Sequence, residues 1–250
     1  MSATITWNPA SYAKNARFVS DLGEPLLELL AAKGGETILD LGCGDGALTE
    51  KIAAAGAKVF AVDSSLAQVM AARRRGVNAL VMDGQALGFK RRFDAVFTNA
   101  VLHWLKRPEQ VIEGVAASMK AGGRFVGEFG GKGNVDAIRA ALHRELVKLG
   151  VDPWSVDPWY YPAADEYSAL LQTHGFKVER SEIIPRPTIL PGDLRGWLEV
   201  FAQSFTKALP EAKRENFVES VCKNLAPKLR RPDGAWYADY VRLRFKALRR

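Results

Sequence analysis

Residues 36–49 constrain the fold of this chain more than any other stretch. Their sequence, ETILDLGCGDGALT, is a short apolar segment, then glycines at alternate positions, then the start of a helical segment over 47–55. Glycine lets the backbone turn tightly and lets a ligand lie against bare main chain. The first turn of the following helix presents unpaired N–H groups and a positive dipole end. A strand, a glycine turn and a helix in this order predict a nucleotide-binding crossover.

The glycine spacing alone leaves the ligand open. Gly42, Gly44 and Ala47 also fit the G-x-G-x-x-G/A pattern of dinucleotide-binding proteins. A nicotinamide-dependent oxidoreductase is therefore an alternative, and it would share the glycine turn and an acid near residue 63. It would not predict Asp40, two residues before the first glycine, where a carboxylate can accept hydrogen bonds from an ammonium group.

Three aspartates lie at the ends of successive apolar runs. Asp40 closes the first predicted strand, Asp63 ends the second and Asp83 ends the third, with Gly84 and Gln85 directly after it. In an open parallel sheet, ligands bind at the carboxyl ends of the strands. Carboxylates at three such strand ends could bind, one after another, the amine, the ribose and the adenine of a single extended ligand.

These motifs resemble those of the class I S-adenosylmethionine-dependent methyltransferases. DLGCGDGALT resembles the first motif of that family, AVDSS the second, and MDGQAL the motif on the adenine side. FDAVFTNAVLHWL, residues 93–105, resembles the segment after the fourth strand. Trp7-Asn8-Pro9, Tyr12 and NAVLHWL are similar to the trans-aconitate methyltransferase-like subgroup. The family resemblance covers roughly residues 7–130.

The resemblance implies S-adenosylmethionine as the cofactor and S-adenosylhomocysteine as the product. The predicted cofactor-binding residues are Asp40, Gly42, Cys43, Gly44, Gly46, Asp63, Ser64, Asp83, Gly84, Gln85, Asn99 and Ala100. No metal site is predicted, because the three histidines are scattered and have no cysteine or acid at metal-binding spacing.

The predicted fold class is α/β. Seven strands are expected, at 36–41, 57–62, 78–82, 93–98, 123–129, 176–184 and 237–248. Most of the runs are continuously apolar, as in strands that a parallel sheet buries on both faces, whereas the last one alternates with period two. We therefore expect a Rossmann-like, seven-stranded, mostly parallel sheet with an antiparallel last strand, flanked by helices.

A small helical cap is expected between strands six and seven. Two helices, at roughly 191–207 and 210–230, have broad apolar stripes and no strand set of their own. The predicted regions are an N-terminal helical arm (1–35), a cofactor-binding domain (36–186 and 235–250) and the cap on the substrate side (187–234).

The segment after strand four bears on the acceptor. Methyltransferases that act on amino groups of bases commonly have Asn/Asp-Pro-Pro-aromatic there, to hold a flipped base. This chain has Asn99-Ala100-Val101-Leu102, which argues against a nucleic-acid base as acceptor. His103 is the one candidate for a catalytic role, and packing beside Trp104 is its alternative, so no catalytic residue is assigned. The candidate substrate-binding residues are Trp7, Tyr12, His103, Trp104, Tyr161, Arg186 and Trp197.

The chemistry favours a small carboxylate as the acceptor. Methyl transfer from a sulfonium is an in-line displacement, in which alignment and desolvation supply much of the rate. A carboxylate, with a pKa of about 4, is already ionised at neutral pH and needs no general base. Its anchor would be a donor such as Arg186, which lies between two prolines. The trans-aconitate-like acids are implied by the resemblance alone.

The net charge of +7 is concentrated in the last part of the chain. Residues 205–250 hold twelve Lys or Arg and five Asp or Glu. This excess could attract an anionic substrate, RNA or protein, so a methyltransferase of RNA or protein is a second alternative. We favour a solvated helix face and a charged edge strand as its explanation.

Composition favours a soluble enzyme of the cytoplasm. No apolar run approaches the ~20 residues of a membrane span, and the start MSATITWNPASY lacks the pattern of a signal peptide. Two cysteines make no disulfide framework. The expected partner is a small-molecule substrate, with neither nucleic acid nor membrane favoured, and the sequence leaves the oligomeric state open.

Overall fold

The computed structural model describes residues 23–250. The predicted helices of the N-terminal arm before residue 23, and with them Trp7 and Tyr12, lie outside the described residues. The described chain forms two compact units. The first comprises residues 23–132, 159–184 and 242–250, and the second comprises residues 133–158 and 185–241.

The first unit contains the seven-stranded sheet, in the order β3-β2-β1-β4-β5-β9-β6. The strands of the described part of the chain are β1 (Thr37–Leu41), β2 (Lys58–Asp63), β3 (Ala79–Val81), β4 (Phe93–Asn99), β5 (Met119–Gly130), β6 (Phe176–Pro185), β7 (Thr188–Ile189), β8 (Tyr237–Ala238) and β9 (Val241–Arg249). From β3 to β5 the neighbours pair in parallel, and β9 pairs antiparallel with β5. The predicted fold class is thereby confirmed.

Helices cover both faces of this sheet. The α-helices of residues 23–250, those of both units included, are α1 (Glu24–Leu30), α2 (Ala47–Ala54), α3 (Leu66–Arg74), α4 (Pro108–Ser118), α5 (Asp136–Lys148), α6 (Ala164–Thr173), α7 (Leu194–Phe201), α8 (Gln203–Lys207) and α9 (Glu211–Leu229). One core joins α4 and α6 to Phe125 and Phe245 of the sheet. The other joins α1 and α2 to Ile38 and Phe97. Burial on both faces explains why the parallel strands lack polar alternation.

The structure corrects one explanation of the basic C-terminal region. β9 is not a charged edge strand, because it lies between β5 and β6. Two of its arginines, Arg242 and Arg244, are buried, with 7% and 9% of their surface exposed. Arg249 packs over the ring of Phe176 and donates to the carbonyl oxygen of Gly175 at 3.0 Å. These side chains therefore do not form a basic surface.

The second unit contains α5, α7, α8, α9 and a two-stranded sheet of β7 and β8. We expected no strands with these helices, and this was wrong, because Thr188 pairs with Ala238 and Ile189 with Tyr237. The predicted helix 191–207 is interrupted at Ala202. The unit is larger than the predicted cap 187–234, because α5 packs against α9. Its role as a cap over the substrate stays a prediction.

Within residues 23–250, no helix is long and apolar enough to cross a membrane.

Candidate active site

The carboxyl ends of β1, β2 and β3 lie at one edge of the sheet. Parallel ladders join β1 to β2 and β2 to β3, so the three strands run in the same direction. Asp40 is the penultimate residue of β1, Asp63 is the last residue of β2, and Asp83 follows β3 after one further residue. The three acids that the sequence singled out therefore share one edge.

The glycine turn after β1 is a tight backbone loop. Neighbouring atoms crowd it at Gly42, whereas the space beside it at Gly44 is open. Gly42 has a φ of 77° and its N–H donates to the carbonyl oxygen of Val62 at 2.7 Å. A Cβ atom at residue 42 would lie 2.2 Å from Cγ2 of Val101, so only glycine fits. Gly44 also has a positive φ, 55°, but a Cβ there would meet nothing within 4 Å. Bare main chain therefore borders open space at Gly44, as a cradle for a ligand requires.

Asp40 lies beneath this turn. Only 2% of its surface is exposed, and its Oδ2 accepts a 2.5 Å hydrogen bond from the hydroxyl of Thr49 in α2. Burial raises the pKa of Asp40 to about 7, the hydrogen bond from Thr49 opposes this rise, and the nearby charge of Asp63 adds to it. Asp40 is therefore poised between its neutral and ionised forms near neutral pH, and a cation beside it would favour the carboxylate.

Asp63 joins the turn to the start of α3. Its Oδ2 accepts from the N–H of Gly44 at 3.0 Å, and its Oδ1 accepts from the N–H of Ser65 at 2.8 Å. Burial raises the pKa of Asp63, and these two backbone hydrogen bonds oppose the rise. The two bonds hold the carboxylate against the backbone of Gly44. Ser64, also predicted to bind the cofactor, is exposed beside it.

Asp83 and Gln85 form a small polar group after β3. Oδ1 of Asp83 accepts from the N–H of Gln85 at 2.8 Å. Oε1 of Gln85 accepts from the N–H and Nε of Arg107, at 3.1 and 3.3 Å. Gly84 is buried between them, and a Cβ there would approach Leu105 and Leu41 to 3.1 Å. This loop is thereby held against the turn that follows β4.

Gln68 in α3 is a buried polar residue that the sequence analysis did not single out. Its side chain is 4% exposed, yet its Oε1 has no hydrogen-bond partner. A buried amide oxygen without a partner is costly, about 1–3 kcal/mol, unless a ligand or water pairs with it. It lies one helical turn beyond Ser65, which caps α3 next to Asp63. The signal in the sequence was a lone polar residue on the buried face of α3, beside Val69 and Ala72.

The segment after β4 positions His103. Ala100 adopts a φ of 59°, and its N–H donates to the carbonyl oxygen of Glu128 at 2.7 Å, so the chain turns sharply away from β4. A short 3-10 turn follows (Leu102–Trp104). In it, Nδ1 of His103 accepts from the N–H of Gly130 at 3.2 Å, and only 6% of the residue is exposed.

The protonation of His103 follows from these contacts. Burial, with the charge of Arg242 as a further cause, holds the pKa of His103 well below its ordinary value, so the ring is neutral. Because Nδ1 accepts the N–H of Gly130, the single ring proton lies on Nε2. His103 therefore presents an N–H donor, and its geometry does not suit a general base.

Aromatic side chains surround this turn. The rings of His103 and Tyr161 have centroids 5.9 Å apart, and those of Trp104 and Trp159 are 6.2 Å apart. Trp159 stacks on Tyr161 at 5.8 Å, and the N–H of Tyr160 donates to the carbonyl oxygen of His103 at 2.9 Å. The first unit thus brings Tyr161, His103 and Trp104 together, and their contact with a substrate stays a prediction.

The other predicted residues are distributed as follows. Asn99 ends β4 opposite Glu128 of β5. Cys43 is buried in the turn, and burial raises the pKa of its thiol, so it stays protonated. Arg186 and Trp197 belong to the second unit, where Nε1 of Trp197 donates to the hydroxyl of Tyr240 at 2.5 Å. Across the described part of the chain, no three His, Cys, Asp or Glu residues are grouped as a metal site.

Known methyltransferase sequences resemble this chain over 70–96% of its length. The family described as a methyltransferase domain matches residues 39–127. An uncharacterized methyltransferase of Schizosaccharomyces pombe, C70.08c, is 37% identical over 253 residues, which cover 96% of this chain and 97% of the relative. Trans-aconitate 2-methyltransferase of Mycolicibacterium gilvum is 37% identical over 188 residues, which cover 70% of this chain and 71% of the relative.

Solved structures share the fold. A putative methyltransferase of Bacillus halodurans superposes with a TM-score of 0.63 at 18% identity, over 92% of this chain and 98% of that one. Phosphoethanolamine N-methyltransferase 2 of Haemonchus contortus, in complex with phosphomonomethylethanolamine and S-adenosylhomocysteine, has a TM-score of 0.57 at 18% identity, over 92% of this chain and 52% of that one.

The glycine cradle, the acids at the strand ends and the sequence relatives define one class of protein. The chain belongs to the S-adenosylmethionine-dependent methyltransferases. Its cofactor is accordingly S-adenosylmethionine. The open side of the turn at Gly44 and the fixed carboxylate of Asp63 fit this group, and the nicotinamide alternative has no further support.

Proposed function

We propose that this enzyme transfers a methyl group from S-adenosylmethionine to the carboxylate of a small organic acid similar to trans-aconitate. The observation that carries the proposal is the tautomer of His103, whose Nδ1 accepts from Gly130 at 3.2 Å and whose Nε2 bears the proton. The polar group that follows β4 is thus a donor, and a carboxylate is the common nucleophile that needs a donor and no base. The trans-aconitate 2-methyltransferase of M. gilvum, 37% identical over 188 residues, supports the same acceptor class.

The roles of the cofactor-binding residues belong to this proposal. Asp40 would accept from the ammonium group of the cofactor, Asp63 from its ribose hydroxyls, and the loop of Asp83 and Gln85 would hold the adenine. The glycine turn would offer bare backbone between them, with Cys43 as a small buried filler. When bound, the cofactor supplies an electrophilic methyl group on a sulfonium.

The protein would contribute alignment and exclusion of water. The donor at Nε2 of His103 would orient one oxygen of the acceptor, and the rings of Trp104 and Tyr161 would wall the site against solvent. Such positioning accounts for much of the rate of an in-line displacement. The substrate contacts predicted for Trp7, Tyr12, Arg186 and Trp197 stay predictions.

Transfer of a labelled methyl group tests the proposal directly. The purified protein is incubated with S-adenosylmethionine labelled in the methyl group and with panels of small carboxylic acids, phenols, amines and total RNA. We expect label to enter the acids, trans-aconitate among them, as an ester that mild alkali releases as methanol. Alkali-stable label in a phenol, an amine or RNA, with none in the acids, would refute the acceptor class and leave the methyltransferase assignment intact.

A further inference from the structure

We propose that Arg242 binds the carboxylate of the acceptor and determines the specificity of the enzyme for acids. This inference rests on the proposed function, and it adds a residue that the sequence analysis assigned to a charged edge strand. Arg242 is 7% exposed and belongs, with His103, to the first unit.

Gly130, near the carboxyl end of β5, connects Arg242 to His103. In the antiparallel ladder of β5 and β9, Gly130 stands directly opposite Arg242. Directly opposed residues of such a ladder have Cα atoms about 4.5–5.5 Å apart. The N–H of the same glycine donates to Nδ1 of His103 at 3.2 Å. Arg242 and His103 therefore both neighbour Gly130, at the edge of the sheet where the strands carry the cofactor motifs.

The glycine leaves room on this face. Side chains of one strand alternate between faces, so Glu128 and residue 130 share a face, and their partners Arg244 and Arg242 share it with them. Residue 130 has no side chain, which leaves the space opposite Arg242 free of a cross-strand neighbour from β5. Under this inference, a small planar anion bound on this face would accept hydrogen bonds from the guanidinium of Arg242 and from Nε2 of His103.

The neighbouring cross-strand pair, Glu128 and Arg244, is an ion pair. Nε and Nη2 of Arg244 each donate to Oε2 of Glu128 at 2.7 Å. Glu128 is 2% exposed, so this ion pair is desolvated and fixed in place. It balances the charge of Arg244 and forms a rigid wall next to Arg242.

The chemistry of arginine suits the task. A guanidinium has five N–H donors in a planar fork that matches a carboxylate, and it stays charged at every relevant pH. Because the five donors point in different directions, a guanidinium that is bonded within the protein can also donate to a ligand. Burial strengthens the attraction between the guanidinium and an anion, because less water screens it. A neutral acceptor would gain nothing from such a group, which is why Arg242 would select for acids.

A steady-state comparison of Arg242→Gln and Arg242→Lys tests the inference, with Lys246→Gln as the matched control. Lys246 lies on the same strand and face but toward the other end, where it pairs with Glu179 at 3.3 Å. With trans-aconitate as acceptor, we expect Arg242→Gln to raise KM by about ten- to hundredfold. Arg242→Lys should have an intermediate effect, and Lys246→Gln should keep the wild-type KM. The Kd of S-adenosylhomocysteine should stay within about twofold in all three variants, which a general loss of structure would not allow.

Calorimetric titration of trans-aconitate and of tricarballylate into the S-adenosylhomocysteine complex separates this inference from the proposed function. If wild-type protein methylates acids and Arg242→Gln does so with an unchanged KM, the inference fails alone. If wild-type protein binds these acids through Arg242 but does not methylate them, the proposed function fails alone. If it neither binds nor methylates a carboxylate, both fail.

Discussion

The hydroxyl of Thr49 donates a 2.5 Å hydrogen bond to Oδ2 of Asp40 across the glycine turn. Both side chains are almost completely buried, at 1% and 2% exposure. The bond connects the last part of β1 to the first turn of α2 and fixes the carboxyl below the cradle. Because burial is the dominant influence on this carboxyl, its ionisation is coupled to whatever cation approaches it.

We predict that the affinity for S-adenosylhomocysteine depends on pH through Asp40. The carboxyl of Asp40 has a pKa of about 7, and under the proposed function the ammonium group of the ligand would pair with its ionised form. Protonation therefore competes with binding, and Kd should rise about tenfold as the pH falls from 8 to 6. Isothermal titration across this range measures the effect.

Two variants sharpen this test. Asp40→Asn should bind more weakly and show a flat profile between pH 6 and 8. Thr49→Val removes a hydrogen bond that lowers the pKa of Asp40, so the midpoint should move to higher pH. A profile that is the same in wild-type protein and Asp40→Asn would show that Asp40 does not contact the charged end of the ligand.

We predict that glycine at residue 42 matters chiefly for stability, whereas glycine at residue 44 matters chiefly for binding of the cofactor. Gly42→Ala would place Cβ 2.2 Å from Val101 at a φ of 77°, so we expect a loss of stability of about 3 kcal/mol or more. Gly44→Ala meets no neighbour and should cost about 1–2 kcal/mol for its positive φ. It should nevertheless weaken S-adenosylhomocysteine binding about tenfold or more, because Cβ enters the cradle. Urea unfolding measures the stability of both variants, and calorimetry measures their affinity for S-adenosylhomocysteine. If Gly44→Ala loses stability but keeps the wild-type affinity, the backbone at Gly44 does not form a cradle for the ligand.

The tautomer of His103 predicts the shape of the pH–rate profile. With an acid as acceptor, kcat should show no ionisation of a general base between pH 6 and 9, because Nε2 already bears the proton. His103→Asn keeps an acceptor near the position of Nδ1 but loses the donor at Nε2. We expect kcat/KM to fall about ten- to hundredfold, with an unchanged profile. A wild-type profile that rises with a pKa near 7, and becomes flat in His103→Asn, would identify a base instead.

Replacing only one member of the ion pair of Glu128 and Arg244 should strongly lower the free energy of unfolding. Glu128→Gln leaves the buried guanidinium of Arg244 without its countercharge, and we expect a loss of about 3–5 kcal/mol in the free energy of unfolding. The double variant Glu128→Leu with Arg244→Met replaces both charges by apolar groups and should recover much of this loss. Chemical denaturation of wild-type protein, of the single variants Glu128→Leu and Arg244→Met and of the double variant measures the coupling, and additive losses would show that the pair contributes little.

Much of the fold followed from local patterns. The apolar runs of the parallel strands, the glycine turn and the acids after β1, β2 and β3 all depend on residues close in sequence. Parallel strands joined by helices must end at the same edge, so the sequence alone was enough to place Asp40, Asp63 and Asp83 together. The two-stranded sheet of β7 and β8 could not be foreseen, because two residues per strand leave no periodicity to detect.

The acceptor side depends on contacts between residues far apart in the chain. The sequence determined a cofactor-binding sheet and its glycine cradle, because strand, turn and helix preferences act over a few residues. Only the tertiary structure decided that β9 inserts beside β5, which puts Arg242 opposite Gly130 and Gly130 against His103. A period-two strand has the same pattern at an edge and in the interior of a sheet, so burial of its arginines is a property of strand order and not of local sequence.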